Sequence, residues 1–300
     1  MGPLEKIRVI DLSTVIMGPL AARMLGDMGA DVIKVEPPAG DPVRAIGPMR
    51  NPGMGPFYMN ANRNKRSIAV DAKTDAGLAV LKELIRSADV LLYNIRPNAM
   101  ARLGLDYESC RSLKQDLIYC GAYGFGQDGP YAAKPAYDDL IQGLCAIPNL
   151  IAQAAGGTPR YVPLAMVDRY VGVAAANAVL GALMHRMKTG AGQSIEVPMF
   201  EVMTECVLGD HSGGQMFDPP IGPAGYPRSL APERRPFATR EGYICIMVWT
   251  DKHWASFLKL VGKPELIKDP RFGSLTTRTR HTREIHAMLE VELLARTARE

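Results

Sequence analysis

The sequence lacks the cysteine spacing of a disulfide framework or a zinc cluster. Its five cysteines form no C-x-x-C pair and are scattered, at positions 110, 120, 145, 206 and 245. An odd, dispersed set of thiols is typical of a protein that stays in a reducing compartment. We therefore expect no structural metal and no disulfide network.

Strong net charge and long apolar runs are also lacking. The 35 basic and 31 acidic residues give a net charge of +4, which is too mild to indicate a nucleic acid or a membrane surface as partner. The N-terminus leads directly into a predicted strand without the apolar core of a signal peptide. No window holds the roughly 18 uninterrupted apolar residues of a membrane span. We expect a cytoplasmic protein.

Predicted strands and helices alternate along the first two thirds of the chain. A strand at residues 7–11, a helix at 20–27 and a strand at 31–36 form a β-α-β unit, which predicts a parallel sheet. Further strands are predicted at 67–71, 89–94, 117–123 and 193–197, with helices at 74–87, around Arg102, from Tyr137 and at 199–208. The pattern predicts a Rossmann-like α/β fold. Since the first β-α turn lacks G-x-G-x-x-G, a dinucleotide held in the usual way is not expected.

At 300 residues the chain is long enough for two domains. We predict a Rossmann-like domain at residues 1–210, which carries the chemistry. Residues 211–236 are rich in Gly and Pro and are predicted to be a linker or an active-site loop. A smaller domain is predicted at 237–300, with a strand at 242–248 and helices at 252–260 and 282–300.

The stretch 161–188 is the candidate centre of the chemistry. A long uncharged run follows Asp168, with apolar residues at four-residue spacing: Val171, Ala175, Val179 and Leu183. With Gly190 as its stop, this run predicts a helix whose first turn carries Asp168. An acid in a first turn most often caps backbone N–H groups, so spacing alone favours a capping role over a catalytic one.

Several motifs in order along the chain resemble the class III coenzyme A transferases, the group of formyl-CoA, carnitine and succinyl-CoA transferases and α-methylacyl-CoA racemases. The motifs are residues 7–11 with 25–36, 64–71, 88–97 with Leu103-Gly104, Val167-Asp168 with 186–193, and 269–272. Each motif is weak alone. Together they cover nearly the whole chain.

The resemblance implies a CoA-transferase in which Asp168 is the covalent nucleophile. The substrates would be an acyl-CoA thioester as donor and a carboxylic acid as acceptor, with no permanently bound cofactor and no metal. It also implies an interlocked homodimer. Chains of the family continue well past residue 300 and return to the Rossmann domain. The given sequence lacks that return segment, so we expect a truncated product or a short relative.

The resemblance also implies a CoA site. It would place Val15, Ile16 and Met17 along the CoA, Val70 and Lys73 near the nucleotide, and Asn94, Ile95 and Arg102 around adenine and phosphate. Judged from residue type alone, Val70 and Ile95 are also typical core residues, and Lys73 and Arg102 typical surface charges. Pro37 stands where formyl-CoA transferase has an arginine, and Arg44 is an open candidate for its replacement. The cations Arg63, Lys65 and Arg66 precede a strand and either face solvent or meet phosphate.

Tyr137 and Asp138 are expected to line the same site. Racemases of the group carry His immediately before the matching Asp, and here that position is Tyr137, which favours transfer over racemisation. The alternatives are an acyl-CoA racemase and a CoA-binding protein without catalytic activity. Two glycine-rich segments, Gly213-Gly214 and residues 222–225, are candidate oxyanion donors, and the sequence does not choose between them.

Overall fold

The computed structural model describes residues 2–300, which form two compact units. Unit 1 runs up to Cys145 and includes Val162–Cys206, and unit 2 comprises Ala146–Tyr161 and Val207–Glu300. Residues 146–161 thus belong to unit 2, although the sequence analysis assigned this segment to the Rossmann-like domain. The predicted limits at residues 210 and 236 stay a prediction.

A six-stranded parallel sheet forms the centre of unit 1, so the predicted α/β fold class is confirmed. Its strands are β1 (Arg8–Asp11), β2 (Asp31–Glu36), β3 (Lys65–Ala69), β4 (Val90–Tyr93), β5 (Ile118–Tyr123) and β6 (Gln193–Pro198). Their order across the sheet is β3-β2-β1-β4-β5-β6. In the register, Val9 of β1 lies between Val32 of β2 and Val90 of β4. Central strands that are buried on both faces read as apolar runs, which is why the sequence revealed them.

The helices of the chain are as follows: α1 (Met17–Asp27), α2 (Pro56–Asn62), α3 (Asp75–Arg86), α4 (Pro97–Arg102), α5 (Tyr107–Leu113), α6 (Asp138–Leu144), α7 (Ile147–Ala155), α8 (Met166–Thr189), α9 (Met199–His211), α10 (Asp251–Leu260), α11 (Leu275–Arg280) and α12 (Thr282–Leu294). The sequence analysis did not predict α2, α5, α7 and α11. Each has at most nine residues, too few to show a clear apolar period. α5 has a local start signal, because the Asp106 side chain accepts a hydrogen bond from the Ser109 N–H at 3.0 Å.

Helix α8 is the long core helix of unit 1. It packs against α1, α6 and the strands β5 and β6, and its buried face includes Val171, Ala175 and Val179. By length and composition alone α8 would pass as a membrane span, although the sequence has no uninterrupted apolar run of that length. Packing within unit 1 buries 44% of that apolar stretch. At Gly172 a Cβ atom would lie 2.7 Å from the Met17 carbonyl oxygen, so the close approach of α8 to the start of α1 requires glycine.

Unit 2 has a small core of its own. The strands β7 (Phe237–Thr239) and β8 (Gly242–Ile244) pair antiparallel, and β8 is shorter than the predicted strand at 242–248. The buried residues of this core are Phe237, Trp254, Leu258, Phe272, Ile285 and Leu289. α10 begins as a capped helix, since the Thr250 hydroxyl accepts the His253 N–H at 3.1 Å.

Candidate active site

A cavity of about 600 Å³ opens in unit 1 where the loops after β1, β4 and β5 meet the first turn of α8. The chain leaves β1 towards β2 and β3 on one side of the sheet, then crosses to β4 on the other side. Such a reversal at the carboxyl ends of parallel strands leaves a crevice in which open α/β folds bind ligands. Of the predicted site residues, those that line the cavity are Val15, Met17, Asn94, Ile95, Arg102, Tyr137 and Asp168.

The other predicted site residues lie outside the cavity lining. Ile16 is buried directly before α1, and Val70 packs in the core of unit 1. Lys73 is exposed in a turn where its N–H donates to the Asp71 carboxylate at 3.0 Å. Asp138 is the first residue of α6, and its carboxylate accepts a hydrogen bond from the Asp168 N–H. The structure therefore does not place these four residues in the cavity lining with the other predicted site residues. Their roles in binding stay predictions.

Asp168 is the third residue of α8 and does not cap the helix. The N-cap position is Ala165, and neither carboxylate oxygen of Asp168 accepts a hydrogen bond from any described residue. Burial raises the pKa of Asp168 to about 7, the nearby charge of Asp138 adds to this effect, and Arg169 opposes it. The capping interpretation therefore does not hold. Asp168 is a poorly solvated acid whose raised pKa still leaves an ionised fraction at neutral pH.

Asp138 holds the backbone of Asp168 in place. The Asp168 N–H donates to one Asp138 carboxylate oxygen at 2.9 Å, and the buried Gln142 amide donates to the other at 2.6 Å. The Gln142 oxygen in turn accepts the Val162 N–H at 2.9 Å. This chain of hydrogen bonds connects α6 to the segment that leads into α8, and it fixes the first turn from which Asp168 projects.

The loop between β1 and α1 forms another wall of the cavity and is strained. Val15 has a φ of 72°, a left-handed conformation that is rare for a β-branched residue. The Asn94 side-chain amide accepts the Thr14 N–H at 2.9 Å and donates to the Thr14 carbonyl at 2.8 Å. The Val15 N–H donates to the Asp41 carboxylate at 3.3 Å. Asn94 therefore positions this loop, and its amide group is occupied by protein.

Below this loop lies a buried charge cluster, defined as Asp11, Lys34, Asp41 and Lys65. Lys34 pairs with Asp41 at 2.9 Å and Lys65 pairs with Asp11 at 2.8 Å, and all four side chains are at most 1% exposed. The Lys34 ammonium also donates to the Ser13 carbonyl at 2.8 Å. Burial alone would raise the pKa of Asp11, but the two lysines hold it below its usual value. Lys65 thus meets neither solvent nor phosphate, the two alternatives that the sequence left open.

The other cations near the third strand are also bound to carboxylates. Arg63 pairs with Asp27 at 2.6 Å and Arg66 with Asp31 at 2.7 Å, both at the surface. Arg44 makes two hydrogen bonds to Glu36, at 2.7 and 2.8 Å. It does not line the cavity, so it does not replace the missing arginine at position 37 in this structure.

The cavity lining contains two cations that the sequence analysis did not single out for binding. Arg96 lies three residues after the end of β4, directly before α4, and Lys134 lies in the loop after the glycine-rich segment 124–130. Together with Arg102 they give the cavity three positive side chains, whereas Asp168 is the only acid among the described residues that line it. The sequence signal for Arg96 was its position directly before Pro97 and shortly after the predicted strand at 89–94. The arrangement suits a ligand that carries several phosphates.

The two glycine-rich segments proposed as oxyanion donors lie in unit 2 and contact each other. The Gly214 N–H donates to the Pro223 carbonyl at 3.0 Å, and the Gly225 N–H donates to the His211 carbonyl at 2.8 Å. Both N–H groups are therefore engaged within the loop. The assignment of oxyanion donors stays a prediction.

Comparison with known proteins supports the same family. Residues 4–300 match the family described as CoA-transferase family III. A succinate–glutarate CoA-transferase of Agrobacterium fabrum is 36% identical over 301 residues, which covers 97% of this chain and 74% of that protein. A probable fatty acyl-CoA transferase of Mycobacterium tuberculosis is 32% identical over 310 residues, covering 99% of this chain and 78% of that protein. The crystal structure of a CAIB/BAIF family protein from Brucella suis superposes with a TM-score of 0.81 at 32% identity, covering 99% and 79% of the two chains.

Proposed function

The chain belongs to CoA-transferase family III, and on that premise we propose that Asp168 is the nucleophile that moves coenzyme A between two carboxylic acids. One observation carries the proposal. Asp168 is the only acid in the lining of a three-cation cavity, has no hydrogen-bond donor among the described residues, and has its pKa raised to about 7 by burial. An unsolvated carboxylate is a stronger nucleophile towards a thioester than a hydrated one.

In the first half-reaction an Asp168 carboxylate oxygen attacks the thioester carbonyl carbon of the donor. The C–S bond breaks, coenzyme A leaves as a thiolate, and a mixed anhydride joins Asp168 to the donor acyl group. The thiolate then attacks the aspartyl carbonyl carbon. The donor carboxylate leaves, and Asp168 is now bound to coenzyme A as a thioester.

The second half-reaction repeats these steps in reverse order with the acceptor acid. The acceptor carboxylate attacks the aspartyl thioester, the thiolate leaves, and a second mixed anhydride forms. The thiolate then attacks the acceptor acyl carbon and releases ionised Asp168. No electron or proton is gained or lost overall, so the site needs an ionised acid and room for two successive acids.

Coenzyme A is bound as a substrate by groups of the same cavity. Its phosphates would meet Arg96, Arg102 and Lys134, since guanidinium and ammonium groups form charge-assisted hydrogen bonds with phosphate oxygens. Val15 and Ile95 offer apolar surface for the adenine or the pantetheine arm. Tyr137 is 67% exposed at the rim, where it is placed to contact the acyl group.

The choice of acids is proposed from the relatives. The Agrobacterium protein is named for succinate and glutarate, so the first pair to test is succinyl-CoA with glutarate. The sequence predictions of a cytoplasmic location and an interlocked homodimer remain part of this proposal. Racemase activity is not favoured, because Tyr137 has no imidazole with which to exchange an α-proton.

Trapping of the covalent intermediate tests the proposal. The protein would be incubated with succinyl-CoA and its intact mass measured, before and after borohydride reduces the aspartyl thioester to an alcohol. We expect a coenzyme A adduct that maps to Asp168 and is absent in Asp168→Ala. Asp139→Ala is the matched control, because Asp139 is an exposed acid of α6 outside the cavity lining. Turnover without an adduct, or an adduct that persists in Asp168→Ala, would contradict the assignment.

A further inference from the structure

Unit 2 contains a second cavity, of about 280 Å³, whose charged lining residues are all basic. The residues that line it lie in the segments 228–249 and 254–289. Arg228, Arg234 and Arg235 face it together with His286, and none of the described residues in its lining is an Asp or a Glu. The cavity is therefore positively charged without an acid of its own.

Two of the three guanidinium groups are not neutralised. Arg235 pairs with Glu290 at 2.8 Å, whereas no carboxylate of the described chain lies within ion-pair distance of Arg228 or Arg234. Glu233 is the chain neighbour of Arg234 but pairs with neither arginine. Both unpaired arginines line the cavity and both act on the charge of His286, so an anion in the cavity is attracted by the two guanidinium groups.

Arg228 is held in place by contacts that leave hydrogen-bond donors available. Its guanidinium lies 5.2 Å above the centre of the Trp249 ring, and one of its nitrogens lies 3.1 Å from the Met247 sulfur. A thioether is a weak acceptor and an aromatic face uses no directed N–H group. Arg228 is therefore oriented in advance, with N–H groups free for a stronger acceptor.

The rest of the lining is apolar. Phe237, Trp254, Ile285 and Leu289 are buried beneath the arginines. The His286 ring meets the edge of Phe237 at 5.9 Å between centroids, and its Nδ1 atom is buried without a hydrogen-bond partner. Cations above an apolar floor select a ligand that is anionic at one end and apolar at the other.

We propose that this cavity binds a short-chain carboxylate, with the carboxylate between Arg228 and Arg234 and the hydrocarbon part against Trp254. A guanidinium matches the planar carboxylate with two parallel hydrogen bonds. The volume of about 280 Å³ is large enough to admit a small acid. The site is made entirely by unit 2 and does not depend on the reaction at Asp168.

The chain contains two tryptophans, Trp249 and Trp254, and both line this cavity, so intrinsic fluorescence reports on it selectively. The full chain would be titrated with pentanoate and, separately, with pentanamide, which has a similar shape but no charge, at constant ionic strength. We expect a saturable fluorescence change with pentanoate only. Asp168→Ala should give the same curve, which separates this site from the transfer reaction.

Arginine variants identify the charged partner. Arg234→Met should weaken pentanoate binding by about tenfold or more, the usual effect of a lost charged hydrogen bond. Arg228→Met should do the same, and calorimetry replaces fluorescence for this variant because Arg228 contacts Trp249. Arg240→Met is the control, since Arg240 pairs with Glu300 at 2.8 Å outside the lining. Equal binding of pentanamide, unchanged affinity in Arg234→Met, or no saturable signal in the unmutated chain overturns the proposal.

Discussion

Asp11 and Asp168 are acids of the same unit in opposite electrostatic states. Asp11 is fully buried, but Lys65 lies 2.8 Å away and the lysines of the charge cluster hold its pKa below the usual value. Asp168 is less buried, yet its pKa is raised to about 7, because burial and the charge of Asp138 outweigh the opposing charge of Arg169. Burial acts in the same direction on both carboxylates, and only the partners differ. The charge cluster contacts the β1–α1 loop through the bond from Lys34 to the Ser13 carbonyl, whereas Asp168, whose carboxylate accepts no hydrogen bond from a described residue, is the proposed nucleophile.

The largest expected effect is on transfer. Asp168→Asn keeps the size of the side chain but removes the nucleophile, and it should lower the rate by about 10⁴-fold or more, equivalent to ~5 kcal/mol. Steady-state rates with succinyl-CoA and glutarate measure it. Asp139→Asn should leave the rate unchanged. A rate within tenfold of that of the unmutated protein would show that Asp168 is not the nucleophile.

The second-largest expected effect is a loss of stability when the buried pair of Lys65 and Asp11 is broken. Lys65→Met leaves Asp11 as a buried charge without its ion-pair partner and should lower the free energy of unfolding by about 3–5 kcal/mol. Arg66→Met is the matched control in the same strand, because its pair with Asp31 is exposed and should contribute less than about 1 kcal/mol. Urea unfolding at pH 7 compares the two variants. Equal losses would mean that burial does not distinguish the two ion pairs.

The third expected effect is a gain in stability when Asp168 is replaced by asparagine. Since folding raises the pKa of Asp168 to about 7, its ionisation destabilises the folded state increasingly between about pH 4 and pH 7, and fully above pH 7. Asp168→Asn removes that cost and should stabilise the protein by about 1–2 kcal/mol at pH 8, a value discounted for partial exposure. The gain should shrink as the pH falls to 5. Thermal unfolding at both pH values tests this, and an equal gain at both would contradict the raised pKa.

The smallest effect concerns Asp138. Its charge contributes to the raised pKa of Asp168, so Asp138→Asn should move the acidic midpoint of the kcat/KM profile to lower pH, by up to about one unit. The asparagine oxygen can still accept the Asp168 N–H. An unchanged midpoint with a lower rate would assign Asp138 to backbone positioning alone.

The sequence was most informative where structure depends on local pattern. The apolar strands of unit 1 and the four-residue spacing after Asp168 predicted the parallel sheet and α8. The resemblance, rather than the spacing, pointed to Asp168 as a nucleophile. The structure adds the absence of any described partner for its carboxylate, which no sequence pattern reveals.

The predictions were weakest where contacts join distant positions. Lys65 and Asp11 are 54 residues apart in the chain, so their pairing depends on the position of β3 two strands away from β1. Val15 and Met17 line the cavity but Ile16 does not, and Val15 has a left-handed backbone. Residue propensity favours glycine or asparagine in that conformation, so it gives no warning of a valine there.

The strained backbone at Val15 also has a consequence for directed evolution. A non-glycine residue held in a left-handed conformation costs about 1–3 kcal/mol, which the surrounding hydrogen bonds must offset. A library of this protein selected only for heat resistance should therefore be enriched in glycine at position 15. A library selected for turnover should retain valine, because its side chain lines the cavity beside Asp168.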